Sequence, residues 1–199
     1  HMASAQTPIH HYRFAAALDA WAAENPEAII IGDGGDIVAT CAKVLRLTRP
    51  GQWLDPGPLG CLGVGLPFAI AAQVLYPERR VVVISGDGSF GLNGFELDTA
   101  ARFNLPIVTI IGNDAGWGQI RTPQIALFGP ERAVATSLAP TRYDRMAAVF
   151  DGYGEHVTDP EAIGPALERA LASQKPAVVN VMLDPQSLLS LAEGASYIL

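Results

Sequence analysis

The sequence has 199 residues, of which 49% are hydrophobic, and its 20 acidic and 13 basic residues give a formal net charge of -7. This length suits one domain with a sizeable core, and the apolar fraction excludes a disordered chain. The acidic balance argues against a nucleic-acid partner, which needs a basic face, and no apolar run approaches the ~18 residues of a membrane span. The two cysteines, Cys41 and Cys61, are too few for a disulfide framework or a zinc site. With no cleavable signal sequence, we expect a cytoplasmic protein.

The chain opens with His1 before Met2, which indicates a cloning scar, so residues 1–9 are interpreted as scar and lead-in. From there, helical and strand-like apolar patterns alternate along the chain. The predicted helices cover about 10–24, 37–46, 64–75, 93–103, 117–127, 141–149 and 160–173. The predicted strands cover 28–31, 80–85, 107–111 and 177–183, and a turn is predicted at 152–155, directly before His156.

The predicted strands are continuous β-branched runs, which is typical of a parallel sheet buried on both faces. We therefore predict an α/β fold, with three α/β/α layers around a central, mainly parallel sheet. Clusters of Gly, Asp and Asn follow three of the strands, at 32–36, 86–89 and 112–116. Ordinary turns also favour these residues, but three clusters at the ligand-binding edge of such a sheet favour a site there.

The strongest chemical signal is the segment Gly86-Asp87-Gly88-Ser89, where a predicted strand gives way to a helix. Glycines at such a turn let backbone N–H groups close on an anion. A carboxylate beside a phosphate makes sense with a cation between them, and Mg²⁺ binds carboxylates together with phosphate oxygens. Asp114 lies 27 residues after Asp87, so the next strand could deliver a second carboxylate. The residues alone thus predict a magnesium-diphosphate site.

The stretch from Gly86-Asp87-Gly88 to Asn113-Asp114 resembles the thiamine-diphosphate motif, a Gly-Asp-Gly followed one strand–helix–strand unit later by Asn-Asn. The segments 58–63, 88–91 and 104–108 resemble the pyruvate-oxidase-like and acetohydroxyacid-synthase-like branch of these enzymes. The segments 55–58 and 115–118 are similar to acetolactate-synthase-like proteins, bacterial 2-hydroxyacyl-CoA lyases and benzaldehyde lyase. The resemblance covers about residues 10–184, and it implies thiamine diphosphate and Mg²⁺ as cofactors.

The resemblance implies a role for each residue that matches the motif. Asp87, Asp114 and the carbonyl of Gly116 would bind the metal. The remaining cofactor-binding positions would be Gly86, Gly88 and Ser89 in the motif, Trp117 and Gly118 after the metal loop, and Gly35, Asp36 and Ile37 in the first loop. The sequence departs from the motif at Asp114, where asparagine is usual. Asp is a competent ligand, but it adds repulsion toward the diphosphate, and a one-residue shift would make Asn113 the ligand instead.

The resemblance implies fewer residues on the side of the thiazolium ring and the substrate. In the family, a bulky apolar residue supports the bent cofactor, and this role falls on Leu62, with ordinary core as the less favoured alternative. The carbonyl of Gly60 would meet the aminopyrimidine. Gln119, Ile120 and Pro123 are candidates for the substrate pocket, with plain helix packing as the alternative.

No catalytic residue is assigned within this chain. In the family, a glutamate from a separate pyrimidine-binding domain triggers loss of the cofactor's C2 proton, and no segment here resembles that domain. We therefore interpret residues 10–184 as the C-terminal diphosphate-binding domain of a lyase, carboligase or decarboxylase, inactive alone, with residues 185–199 as a tail. It would be cut from a longer enzyme or be a subunit of a split one, and it would work in a homo-oligomer with a carbonyl or acyl-CoA substrate.

Two other hypotheses compete with this one. The first is a non-catalytic nucleotide-binding module of Rossmann type, which is disfavoured because no Gly-x-Gly-x-x-Gly opens the first helix. The second is an assembly domain without cofactor, which retention of Asp87 and Asn113-Asp114 argues against. If the leading hypothesis holds, the face toward the missing domain should be apolar, with Leu62, Phe90, Trp117 and Ile120 exposed there.

Overall fold

The computed structural model of the chain describes residues 1–188, so the predicted tail at 185–199 lies mostly outside the described residues. Six strands alternate with helices along the chain. The strands are β1 Ile29–Asp33, β2 Trp53–Leu54, β3 Val81–Gly86, β4 Val108–Asn113, β5 Tyr153–Val157 and β6 Ala177–Met182. The α-helices are α1 His11–Glu24, α2 Asp36–Val44, α3 Gly65–Leu75, α4 Asp87–Asn93, α5 Leu97–Arg102, α6 Gly118–Phe128, α7 Asp144–Val149 and α8 Ile163–Ala172.

The strands form one sheet in the order β2-β1-β3-β4-β6-β5, and every pair in it is parallel. The chain moves from β1 outward to β2 and then returns to place β3 on the other side of β1. This reversal creates the crevice in which α/β proteins bind ligands, beyond the carboxyl ends of the strands. The predicted three-layer α/β/α fold with a parallel sheet is confirmed.

Apolar clusters cover the two faces of the sheet. On one face, α1, α2 and α8 pack over the strands through residues such as Phe14, Ile37 and Leu167. On the other face, α3, α4, α5 and α7 do so through residues such as Leu66 and Leu97. Because both faces are covered, β1, β3 and β4 are buried along their whole length, as their β-branched sequences predict. Within residues 1–188, none of the helices combines the length and the apolar character needed to cross a lipid bilayer.

One local prediction was wrong, and a second missed a helix. Of the segment predicted as a turn at 152–155, residues 153–155 lie in strand β5, and His156 pairs with Asn180 in the sheet register. The helix predicted to begin near residue 93 is preceded by α4, which begins at Asp87 directly after β3. The second difference matters for the site, because Asp87 and Ser89 lie in the first turn of a helix and are held by its backbone geometry.

Candidate functional site

A cleft lies at the carboxyl edge of the sheet, where β1, β3 and β4 end side by side. In the register, Gly86 of β3 pairs with Gly112 of β4, and Asp33 of β1 pairs with Ser85 of β3. The three predicted Gly/Asp/Asn clusters therefore meet at one edge. The cleft is lined by His11, Gly35, Asp36, Ile37, Leu62, Gly86, Asp87, Gly88, Ser89, Gly112, Asp114, Gly116, Trp117, Gly118, Gln119 and Ile120.

The turns after β1 and β3 approach each other so closely that glycine is required. Gly34 and Gly35 have φ angles of 66° and 93°, which favour glycine over other residues. The Gly86 N–H donates to the Gly34 carbonyl at 3.2 Å. A Cβ atom on Gly34 would lie 2.1 Å from Cδ2 of Leu62. The backbone itself therefore forms the floor of the cleft between β1 and β3.

Asp33 holds that floor together, a role that no local sequence pattern indicates. Its Oδ1 accepts hydrogen bonds from the Ser89 hydroxyl at 2.7 Å and from the Gly63 and Val64 N–H groups at 2.8 and 3.3 Å. Asp33 thus joins β1 to α4 and to the loop that carries Leu62. The hydroxyl of Ser89 is consequently directed toward Asp33, which leaves the backbone N–H of Ser89 as its means of meeting a ligand.

Asp87 is the most deeply buried acid of the cleft, with 1% of its surface exposed. Its Oδ1 accepts from the Gly88 N–H at 2.9 Å, whereas its buried Oδ2 has no hydrogen-bond partner in the described chain. Burial raises the pKa of Asp87 to about 6, against the opposing effect of backbone N–H groups of Gly88 and Gly116. An orphaned carboxylate oxygen of this kind costs free energy unless a cation or a proton meets it.

Asp114 brings a second carboxylate to the same cleft from the end of β4. Burial, together with the negative charges of Asp87 and Asp36, raises its pKa to about 7 against the opposing charge of Arg121. In the described residues, no three His, Cys, Asp or Glu side chains form a metal cluster by themselves. The site therefore offers two carboxylates together with backbone oxygens, a donor set that suits Mg²⁺ when other ligands, such as phosphate oxygens, complete the shell.

Asn113 faces away from the cleft. Its amide nitrogen donates to the Thr141 carbonyl at 2.9 Å and to Oδ1 of Asn180 at 3.0 Å, and its Oδ1 accepts from the Ala115 N–H at 3.2 Å. Asn113 is fully buried and does not line the cleft. Of the two ligand candidates considered for the Asn113-Asp114 pair, Asp114 is the one that the fold brings to Asp87.

The loop from Asp114 to α6 turns sharply at Ala115, which has a φ of 55°. It is held by hydrogen bonds from Trp117 N–H to the Thr136 carbonyl and from Leu138 N–H to the Ala115 carbonyl, both 2.8 Å long. The Trp117 ring packs on Gly88, where a Cβ atom would lie 2.7 Å from the ring. The predicted residues Gly116, Trp117 and Gly118 are thus brought together with the Gly-Asp-Gly turn.

The structure separates the remaining candidates into two groups. Leu62, Gln119 and Ile120 line the cleft, whereas Gly60 and Pro123 do not. Leu62 and Ile120 are 41% and 55% exposed, in keeping with the predicted apolar face, whereas Trp117 is half-buried. The prediction of an exposed Phe90 was wrong: Phe90 is 3% exposed, because α4 turns its ring into the core edge-on to Tyr143, with ring centroids 5.4 Å apart.

His11 also lines the cleft, and no role is predicted for it from the sequence. Its Nδ1 lies 2.7 Å from the Ser187 hydroxyl, and burial lowers its pKa to about 4, so the imidazole is neutral near pH 7. The residue reaches the cleft because Ile9 pairs with Leu183 just beyond β6 and α1 begins there. No local sequence signal marks such a long-range contact.

Comparison with known proteins agrees with this geometry. Residues 33–181 match the family described as "Thiamine pyrophosphate enzyme, C-terminal TPP binding domain", thiamine pyrophosphate being another name for thiamine diphosphate. The chain is 44% identical over 179 residues to a probable acetolactate synthase of Mycobacterium bovis, covering 89% of this chain and 32% of that protein. It is 42% identical over 163 residues to 2-hydroxyacyl-CoA lyase 2 of Caenorhabditis elegans, covering 79% of this chain and 25% of the relative.

A 2-hydroxyacyl-CoA lyase of Arabidopsis thaliana is 37% identical over 168 residues, covering 82% of this chain and 29% of the relative. The chain therefore spans about a third or less of the length of these curated relatives. The matched region contains all three strand ends of the cleft and both of its deepest acids. This chain belongs to the family of C-terminal thiamine-diphosphate-binding domains of thiamine-diphosphate enzymes.

Proposed function

We propose that this chain holds the magnesium-diphosphate end of thiamine diphosphate as the C-terminal part, either domain or subunit, of an enzyme that makes or breaks a C–C bond beside a carbonyl. An acetolactate-synthase-like or a 2-hydroxyacyl-CoA-lyase-like reaction fits the relatives best. The observation that carries the proposal is the buried, unpartnered Oδ2 of Asp87 beside the carboxylate of Asp114. A divalent cation would satisfy both groups.

The metal would be held by the carboxylates of Asp87 and Asp114 and by the backbone carbonyl of Gly116. Ala115, in the left-handed conformation, turns the chain between Asp114 and Gly116. The Ala115 carbonyl is already bonded to the Leu138 N–H, so Gly116 is the better backbone candidate. Phosphate oxygens and water would complete the coordination shell.

The diphosphate would lie where α2 and α6 begin, because their first N–H groups lack helical partners and favour an anion. The turn at Gly35, Asp36 and Ile37 approaches from one side, and Trp117 and Gly118 from the other. The backbone N–H groups of Gly88 and Ser89 would face the diphosphate from the floor. These groups position the cofactor without side-chain chemistry of their own.

The cofactor, when bound, supplies the reactive carbon that accepts charge from the breaking C–C bond, and the protein orients it. Leu62 supports it from one wall, where Gly34 leaves room for the leucine side chain. Gln119 and Ile120 at the start of α6 face the substrate side of the cleft. The substrate class that fits is a 2-keto acid, a 2-hydroxy ketone or a 2-hydroxyacyl-CoA.

The remaining half of the active site would come from a pyrimidine-binding domain of the same enzyme, in a homo-oligomer. Among the described residues that line the cleft, none is a glutamate. The exposed Leu62 and Ile120 at its mouth fit a surface covered by such a domain. We place the domain itself at residues 10–184, which contain every element of the sheet.

Calorimetric titration of the chain with thiamine diphosphate tests the proposal. We expect saturable binding with Mg²⁺ present and no binding with EDTA. Asp87→Asn should weaken binding at least tenfold, because the variant keeps the shape of the side chain and loses the charge. Asp151→Asn removes an exposed carboxylate far from the cleft and serves as the matched control. Equal binding with and without Mg²⁺, or unchanged affinity in Asp87→Asn, would contradict the proposed function.

A further inference from the structure

The cleft contains one more acid than the metal site needs. Asp36 lies in the first turn of α2 and faces the start of α6, where a Cβ atom on Gly118 would lie 2.5 Å from its Oδ2. The same Cβ atom would lie 2.9 Å from Oδ2 of Asp114. The carboxylates of Asp36 and Asp114 therefore converge on one point, beside the still more deeply buried Asp87.

This arrangement leaves a charge problem that a magnesium ion does not solve. A dication offsets two of the three carboxylate charges of Asp36, Asp87 and Asp114. The diphosphate then adds further negative charge at the same edge of the sheet. Inside a partly desolvated cleft, such like charges repel much more strongly than they do in water. A further positive charge close by would therefore strengthen binding of the cofactor.

Arg121 is placed to supply that charge. It follows Gly118 by one turn of α6, and its guanidinium group lies against Gly116, where a Cβ atom would be 3.2 Å from Nη1. Its positive charge lowers the pKa of both Asp36 and Asp114. The charge of Lys43 also lowers the pKa of Asp36. Within residues 1–188, no carboxylate lies within ion-pair distance of Arg121.

Two hydrogen bonds hold Arg121, one from its backbone and one from its side chain. Its backbone N–H donates to the Trp117 carbonyl at 2.8 Å in the first turn of α6. Its Nη2 donates to the Pro185 carbonyl at 3.4 Å. A guanidinium group keeps its charge in such surroundings and is weakly hydrated. The charge of Arg121 can therefore act on Asp36 and Asp114 without a direct ion pair.

We propose that Arg121 is a positioning residue for cofactor binding, whose charge offsets the surplus negative charge that Asp36 and Asp114 bring to the diphosphate site. The inference rests on the proposed function, because it concerns the same cofactor. It also explains how this cleft accepts aspartate at position 114: the added charge is compensated from the next helix. Specificity for a diphosphate would then depend on the balance between Arg121 and Asp36.

Titration calorimetry with thiamine diphosphate and Mg²⁺ tests this with four variants of the full chain. Arg121→Gln should weaken binding about tenfold, the effect of one uncompensated charge in a partly screened site. Arg121→Lys should keep most of the affinity, because the charge stays. Arg145→Gln removes a charge from the exposed side of α7 and is the control, with no change expected. The double variant Asp36→Asn/Arg121→Gln should recover to within about threefold of the unchanged chain.

The recovery in the double variant separates charge balance from a folding defect, because a misfolded Arg121→Gln chain would not be rescued by Asp36→Asn. The loss in Arg121→Gln should also shrink in 0.5 M salt, since screening weakens the repulsion. Unchanged affinity in Arg121→Gln, or equal losses in the single and double variants, would overturn the inference while leaving the proposed function intact. Failure of the unchanged chain to bind the cofactor would instead overturn the proposed function.

Discussion

At the scale of single residues, the carboxyl group of Asp114 makes the stability of the metal-free chain depend on pH. Its pKa is raised to about 7 in the fold, from an ordinary value of 3.8. A raised pKa means that the folded state holds the proton more tightly than the unfolded chain does. This stabilising contribution is complete below pH 3.8 and is lost as the pH rises through about 7.

Asp114→Asn removes this dependence, because the amide stays neutral. In EDTA, the advantage of the variant in the free energy of unfolding should grow by roughly 3 kcal/mol between pH 4.5 and pH 8. Urea denaturation at several pH values measures it. His11 titrates in the opposite sense, since its pKa is lowered to about 4, but it is present in both proteins and cancels in the difference. A difference that stays constant with pH would show that Asp114 is not protonated in the fold.

The sequence could identify the residues whose chemistry is written in a local pattern. Asp87 and Asp114 follow buried strands, and parallel strands that are neighbours bring their carboxyl ends together. The roles of Asp33 and His11 could not be predicted, because they depend on partners far away in the chain, Ser89 and Ser187. The proposed role of Arg121 likewise could not be predicted, because it depends on the position of its guanidinium group against Gly116 in the folded chain.

At the scale of elements, the turn from β3 into α4 determines the shape of the cleft floor. The helix begins at Asp87, and the Trp117 ring from the β4–α6 loop packs on Gly88 with no room for a side chain. Asp87 and the N–H groups of Gly88 and Ser89, which we propose face the diphosphate, lie within this first turn. Their positions therefore depend on the close packing of one aromatic ring.

Gly88→Ala should displace Trp117, because the added Cβ atom would lie 2.7 Å from the ring. We expect a loss of about 1–3 kcal/mol in the free energy of unfolding, typical of overpacking, and a much weaker affinity for thiamine diphosphate. Gly91→Ala lies in the same helix, with nothing within 4 Å of the new Cβ atom. That control should be neutral or slightly stabilising, because alanine favours a helix. Similar changes in melting temperature in both variants would show that Trp117 can move away from position 88 without cost.

Elements of the fold differ in how far their sequences predict them. The strands β3 and β4 are fully buried β-branched runs, and this pattern alone predicts a strand. Strand β5 is at the edge of the sheet, partly exposed and interrupted by Gly154, so its sequence looks like a turn. Gly154 is required there because a Cβ atom would lie 2.0 Å from the Asp144 carbonyl oxygen. The edge strand β2 has two residues, too few for any periodicity.

At the scale of the whole molecule, the fold is self-contained, whereas the proposed active site is not. Apolar clusters cover both faces of the sheet, so the domain has a core of its own. The cleft, by contrast, opens between the apolar side chains of Leu62 and Ile120, which remain substantially exposed. The acids that line it in the described chain, Asp36, Asp87 and Asp114, all lie at the proposed diphosphate end.

The chain alone should therefore bind thiamine diphosphate without activating it. We propose that loss of the C2 proton depends on a group that reaches the pyrimidine ring, and the described cleft presents no carboxylate outside its proposed diphosphate end. Deuterium exchange at C2, followed by NMR after acid quench, should proceed no faster than for the cofactor with Mg²⁺ in buffer. Pyruvate should likewise not be decarboxylated or condensed.

Addition of a pyrimidine-binding domain from the same enzyme should accelerate exchange, because it completes the site. Exchange accelerated by the chain alone would show that an acid of this domain, or a second copy of it, performs the activation.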